Sequence, residues 1–402
     1  MSTDYSTYAT TTTHLTSAKR TLWETKLLKK ALEYLVAPKF ATTRVLGPGE
    51  AGTLRLNKIL RAARQTTQDT EGYAYGIADA KHFVTNYIDV TPEKWGDSFV
   101  WTDDTEMEVF IKQPDKMEEV ADQMARSLEH RFQQLIATQC MRYRIDGDTD
   151  YLKTGTVDSA TSSTVTDAEF AAADFTGGYI TVTNAEGPGY DESRNVTAHN
   201  TGTNVATVAF TNLLTTASKI WSCVGTGIVG TDVMSTDALL AVAYLHRKLG
   251  TDVFPNGTLN GFMHAEQEYD LWKNDTLWKD TAKYVEASRY RNYKLVRWLG
   301  NEFLIGSELH REDVDGTSND AGVVYVAPIF GQKAYSVVHW GLKMGSFKGY
   351  PVKFVYKEGP DSADLRDNFR GISWKSKVVL YVQRGTSVIG LMTGAGAPTV
   401  LI

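Results

Sequence analysis

The chain has 402 residues, of which 42% are hydrophobic and 22% charged, the balance of a folded protein with more than one structural region. Its net charge of −6 argues against a protein that grips a polyanion, because phosphate binding leaves a basic footprint. The 20 Tyr and 9 Trp lean toward assembly, since such side chains dominate buried contacts and interfaces.

Residues 1–20 are rich in Thr, Ser and Tyr without an apolar h-region, so they read as an arm or strap and not as a signal peptide. A helix is predicted next. Thr21 and Glu24 have capping-box spacing, Trp23, Leu27, Leu28, Ala31, Leu32, Leu35 and Val36 share one face, and Pro38 is the expected stop. Residues 52–60 read as a strand, with a short helix as the alternative, and 81–90 and 97–102 read as strands. The polar stretch 65–76 between them, with Gly72 and Gly76, predicts the tip of a projecting hairpin. The longest helix is expected over 115–144. Pro114 precedes it, Asp115, Glu118, Glu119 and Asp122 crowd its first turns, and Arg126, Arg131, Arg142 and Arg144 follow, which complements the helix dipole. Met117, Val120, Ala121, Met124, Leu128, Phe132, Leu135 and Ile136 form its buried stripe, and its length would be roughly 40 Å.

Residues 151–218 are sparse in charge and dominated by Thr, Ser, Gly and Ala. Strands are predicted over 179–183, 194–199 and 204–210, separated by the turn clusters Glu186-Gly187-Pro188-Gly189 and Asn200-Thr201-Gly202. This region is expected to be a separate β-rich lobe on the outer face, removable over 151–212 with a short Gly/Ser bridge. Beyond it the pattern returns to α/β alternation: helix 237–249 ended by Gly250, strand 259–264, helices 266–273 and 280–286, and strand 303–306. The last stretch is β-rich, with strands at 323–328, 341–343, 352–357, 373–383 and 387–392.

A search for chemistry finds no catalytic residue, no metal ligand set and no cofactor motif in working context. Gly225-Thr226-Gly227-Ile228-Val229-Gly230 fits a dinucleotide fingerprint, but the helix that follows runs into Gly250 with no second strand before Asp252. Asp146, Asp148 and Asp150 alternate like a calcium loop, yet Tyr151 and Val157 stand where its glycine and closing acid belong. Glu266 and Glu268 beside His264 read as the acidic start of a helix. Cys140 and Cys223 fit neither a disulfide framework nor a zinc spacing, which points to a reducing place of synthesis. The longest apolar runs, such as 323–330, are too short to span a bilayer.

Taken in order, these regions resemble the major capsid family of tailed bacteriophages exemplified by phage N-four, which has the Hong Kong 97-type fold. Trp23-x3-Leu27-Leu28-x2-Ala31-x3-Leu35-Val36 followed by Lys39-Phe40 resembles that family's N-terminal arm. Gly52-Thr53 and Glu71-Gly72 resemble the two ends of its extended loop, and Trp95-Gly96, Asp103 and the helix after Pro114 resemble its return strand and spine helix. His264-Ala265-Glu266-Gln267-Glu268-Tyr269-Asp270-Leu271 is similar to a helix start in the axial domain, although that family commonly has proline where Ala265 stands. Gly371-x-x-Trp374-Lys375 resembles its C-terminal signature, and the 151–218 insert looks like a β-hairpin module of phage structural proteins.

The resemblance implies an α+β chain with an arm (1–48), an extended hairpin with flanking strands (49–113), a spine helix of a peripheral domain (114–150), the β-rich insertion (151–218), an axial domain (219–345) and returning peripheral strands (346–402). It implies a shell subunit and not an enzyme, with copies of itself as partners in hexamers and pentamers. Scaffold, portal and decoration proteins are further expected partners; DNA is enclosed without sequence-specific binding, and no membrane is involved. Synthesis in the host bacterial cytoplasm and residence in the virion follow. Arg55, Lys58, Arg61 and Arg64 at the hairpin base are the expected inter-subunit cations, and Asp115, Glu118, Glu119 and Asp122 their acidic counterparts. The alternatives are a portal or decoration protein, or a nucleotide-dependent enzyme built on the Gly225 fingerprint.

Overall fold

The computed structural model describes residues 36–46, 52–59, 85–102, 113–146, 150–171, 173–183, 190–216, 218–225, 228, 231–274, 276, 296–298, 301–306, 311–313, 323–340, 352–357 and 369–394. The expected helix before Val36, the hairpin tip, the helix 280–286 and the strand 341–343 lie outside them. The chain divides into two compact units: residues 1–53, 91–132 and 337–379 form the first, and 54–90, 133–336 and 380–402 the second.

The first unit opens on a short helix, α1 (Ala37–Phe40), with Val36 as N-cap. Pro38, expected to stop a helix, sits in the first turn of one, where a missing N–H and a fixed φ cost nothing. The next helix, α2 (Gln113–Gln139), belongs to this unit through Phe132. Val120, Met124, Leu128 and Phe132 are buried at helical spacing, as the stripe predicts. A five-stranded sheet runs Thr42–Leu46, Tyr335–Trp340, Phe369–Val382, Val352–Lys357, with Glu93–Thr102 also paired to Phe369–Val382. The last pairing brings two motifs of the sequence together: Lys375 stands opposite Gly96, and Gly371 opposite Val100. A Cβ on Gly96 would lie 2.6 Å from the Trp374 carbonyl, so the glycine is what permits the two strands this approach.

In the second unit, strands Leu54–Ile59 and Thr85–Val90 form an antiparallel ribbon, with Arg55 opposite Asp89 and Leu56 opposite Ile88. A seven-stranded mixed sheet forms the centre, in the order Val296–Trp298, Asn301–Gly306, Leu259–His264, Val323–Phe330, Val388–Thr393, Met141–Arg144, with Arg311–Asp313 also on Val323–Phe330. Two helices cover one face: α3 (Thr236–Leu249) buries Leu239, Val242 and Leu245, and α4 (Ala265–Asn274) buries Leu271, against Met263, Phe303, Ile329 and Leu391. The ends of α3 follow its sequence. The Ser235 side chain accepts from the Ala238 N–H, and Gly250 closes it at φ 69°, a left-handed conformation costly for other residues.

Residues 150–224 build a lobe of two four-stranded antiparallel sheets. One runs Ser193–Asn195, Tyr179–Val182, Lys219–Cys223, Leu152–Thr156, and the other Ala198–Asn200, Val205–Thr207, Thr164–Thr166, Ser159–Ala160. Its core holds Val165, Phe170, Phe175, Ile180, Val182, Val196, Val208 and Ile220. Lys219–Cys223, which lies past the boundary read from the sequence, is a central strand here, bonded to Leu152–Thr156 on one side and Tyr179–Val182 on the other. The single strand expected over 194–199 is two. Val196 donates to the Gly178 carbonyl and Thr197 to the Thr207 carbonyl, so the chain changes sheets between them.

The spine helix is shorter than expected. It ends at Gln139, and Met141–Arg144 is a strand running parallel to Val388–Thr393, with Met141 opposite Ile389. Arg142 and Arg144, read as dipole-complementing cations on a helix end, are fully buried strand residues. The alternation Met141-Arg142-Tyr143-Arg144-Ile145 is a strand pattern whose long cations can be accommodated by aromatic faces and a carboxylate.

Candidate interaction surface

The expected cations and acids fall on different elements, and the structure describes them unequally. Arg55 lies on the ribbon. Its Nε donates to Asp89 Oδ1 at 2.7 Å and its Nη2 to Oδ2 at 2.8 Å, a fork on a carboxylate directly across the ladder. The guanidinium also lies 4.3 Å from the centre of the Tyr87 ring. The hydrogen bond raises the Arg55 pKa and lowers that of Asp89. Arg55, Tyr87 and Asp89 therefore form one exposed polar and aromatic patch on a ribbon whose opposite face buries Ile88 and Val90. The sequence reading had paired Arg55 with remote carboxylates and overlooked Asp89, although strand register places them opposite each other.

Lys58 stands opposite Asn86, while Arg61 and Arg64 lie outside the described residues. Asp115 and Glu118 are in the first turns of α2. Glu119 accepts a bond from Gln123 at 3.2 Å, and Asp122 one from Arg126 at 2.8 Å, both one turn along the same helix.

Two positioning groups were missed. Glu129 of α2 is buried and accepts the Val36 N–H at 3.0 Å and the Ala37 N–H at 3.1 Å, so its carboxylate caps α1. An acid falling on the apolar stripe beside Leu128 and Phe132 was the available signal. Glu93 and Trp95 meet the same helix through Arg131, whose Nη2 is 3.4 Å from Glu93 Oε2 and whose guanidinium is 5.3 Å from the Trp95 ring.

The second missed group is the buried strand Met141–Arg144. Arg144 donates to Asp146 through Nε at 3.0 Å and Nη2 at 2.5 Å, and to the Val224 carbonyl through Nη1 at 2.6 Å. Its guanidinium faces the Tyr151 ring at 4.8 Å, and that of Arg142 faces Tyr179 at 4.3 Å. The Trp221 indole N–H donates to the Arg142 carbonyl at 2.7 Å, and the Ser193 hydroxyl to the Cys140 carbonyl at 2.9 Å. These bonds fasten the β-rich lobe to the central sheet. The excision at 151–212 expected to be harmless would remove Tyr151, Tyr179 and Ser193 and uncover both arginines.

The Gly225 fingerprint has the wrong setting for a dinucleotide. The strand before it, Lys219–Cys223, is antiparallel to both its neighbours, and the strand after α3, Leu259–His264, belongs to another sheet. Among the described residues no three His, Cys, Asp or Glu side chains are grouped to hold a metal ion, and no helix is long and apolar enough to cross a membrane. Cys140 and Cys223 are both buried and are not joined in a disulfide.

No protein-family model matches the chain, and no curated protein matches it in sequence. Solved structures do match, and phage capsid and head structures are among them. The capsid of Ralstonia phage GP4 superposes with a TM-score of 0.51 and 13% identity, covering 89% of this chain and 87% of that one. The capsid of cyanophage Pam1 gives 0.49 and 10%, covering 89% and 90%. The chain thus has a mixed α+β fold shared with the phage GP4 capsid structure over most of both lengths.

Proposed function

We propose that the chain is a major capsid protein, a subunit that self-assembles into the icosahedral shell enclosing the double-stranded DNA of a tailed phage. The carrying observation is the superposition on the phage GP4 capsid structure across 89% of the chain. At the finer level the reading is a Hong Kong 97-type subunit, with a hairpin and flanking strands over 49–113, a spine helix that ends at Gln139 and returning strands over 346–402 as its parts. A two-stranded ribbon buries little by itself, and a 27-residue helix is longer than one small core needs. Both suit a thin shell in which neighbours supply the missing area through repeated modest contacts. The net charge of −6 suits a container whose wall does not grip the genome.

In this reading the subunit carries no catalytic machinery, resides in the virion after synthesis in the host cytoplasm, and meets scaffold, portal and decoration proteins in addition to itself. Light scattering and negative-stain electron microscopy of the overexpressed chain test it. Closed shells or shell fragments are expected. A chain that stays monomeric at high concentration, or forms only rings of the portal kind, would overturn the reading.

A further inference from the structure

A cleft of about 430 Å3 opens in the second unit where the β-rich lobe meets the C-terminal end of α3. Buried Met141 and Leu245 lie at its base, and half-buried Trp221 and Leu249 line it. Trp221 is held in place by the bond from its indole N–H to the Arg142 carbonyl, so this apolar surface is preformed. Lys219 reaches the cleft from the lobe and Lys248 from α3, one from each wall. Both are exposed, and neither side chain makes an ion pair with a described residue.

The cleft therefore offers the apolar side chains of Trp221 and Leu249, beside Thr154, Thr156 and Thr183, between two ammonium groups that no described residue neutralises. Two lysines are too few for a nucleic-acid track, which needs a row of cations along the backbone. Two are enough for one or two carboxylates, and the base accepts an aliphatic side chain. An extended peptide with acidic and apolar residues presents both groups at the spacing of neighbouring side chains. We propose that this cleft binds an acidic, apolar peptide segment of a partner protein, its carboxylate held by Lys219 and Lys248 and its apolar side chain seated on Trp221 and Leu249.

The test is fluorescence anisotropy of a labelled, end-capped peptide alternating leucine and glutamate, titrated with the full chain at low salt. Saturable binding is expected, weakened by added salt and absent for the same peptide with lysine in place of glutamate. Lys219→Glu and Lys248→Glu are each expected to raise Kd about tenfold or more. Both positions are exposed, so their melting temperatures stay that of the parent and misfolding does not confuse the result. No saturation at millimolar protein, equal binding of the lysine peptide, or indifference to both substitutions would overturn the proposal. Binding of octanoate but not of the peptide would assign the cleft to small amphiphiles instead. Self-association lost in Lys248→Glu and displaced by the peptide would make the occupant a second copy and overturn the partner reading. The shell-forming reading is judged from particles, so failure here leaves it standing and its failure leaves this binding measurable.

Discussion

Arg144–Asp146 and Arg55–Asp89 are the same chemical pair in two settings. Each is a guanidinium forked onto a carboxylate, and each stacks on a tyrosine, Tyr151 in one case and Tyr87 in the other. The Arg144 side chain is 0% exposed and that of Arg55 59%. In water the fork is screened and replaceable by hydration, so its contribution to the fold is small. In the interior an arginine that loses its partners cannot be rehydrated, and Arg144, which also donates to the Val224 carbonyl and faces Tyr151, fastens lobe to sheet. The buried pair therefore helps to specify the fold of the second unit. The other stays exposed on the ribbon and adds little to the fold.

The harshest way to break the contrast is to remove the lobe. Deleting residues 151–212 takes away Tyr151 and Tyr179 and leaves Lys219–Cys223 without either strand partner. Soluble folding is expected to be lost, as read from expression yield and circular dichroism. A soluble, cooperatively melting core would show that the lobe is an appendage.

A single substitution sharpens the same point. Arg144→Ala leaves Asp146 and the Val224 carbonyl without their donor and should lower unfolding free energy by about 3 kcal/mol, in the range for a broken buried pair. Urea denaturation measures this, and a loss no larger than that of a surface pair would remove the distinction.

His246 tests burial through pH. Its Nε2 is 3.1 Å from the Ile329 carbonyl and its Nδ1 3.1 Å from the Thr251 hydroxyl, so a neutral ring donates to the first and accepts from the second. Burial pushes its pKa down from 6.5 to about 4. The unfolded chain then takes up a proton below pH 6.5 that the folded chain refuses until about 4. Stability is fully present above the unfolded value and falls across that window, by about 3 kcal/mol from this one group. Carboxylates titrate in the same range, so the measurement is the difference between the parent and His246→Gln, which should lack this part of the slope. Parallel pH profiles for the two would contradict the assignment.

At the small end, Arg55→Ala should leave monomer stability almost unchanged, because the exposed pair is screened by water. If the exposed patch serves a neighbour, particle yield falls with it while the melting temperature hardly moves. A large loss of monomer stability would place the ribbon in the core.

The sequence made these two regions legible to very different degrees. The stripe Val120-Met124-Leu128-Phe132 announces α2 because helical spacing is local, and Ser235 and Gly250 mark the ends of α3 for the same reason. Arg142 and Arg144 misled because a cation looks alike on a helix end and in a strand; only distant Tyr179, Tyr151 and Val224 decide between them. The lobe boundary was drawn where composition changes, at 218, whereas the real limit is set by the nonlocal pairing of Ile220 with Val182 and Gly155. Glu129 received no assignment from the sequence, since its role depends on chain more than ninety positions away at Val36 and Ala37. The motifs Trp95-Gly96 and Gly371-x-x-Trp374-Lys375 were noticed separately, and their meaning appeared only when they met on one ladder.

The measurement that bears most directly on the whole account is a cryo-electron-microscopy reconstruction of particles formed by the overexpressed chain. A closed icosahedral shell is predicted, with the patch of Arg55, Tyr87 and Asp89 lying against an adjacent copy. Monomers or open rings alone would contradict the shell subunit, and a closed shell with that patch facing solvent would contradict the part assigned to the ribbon.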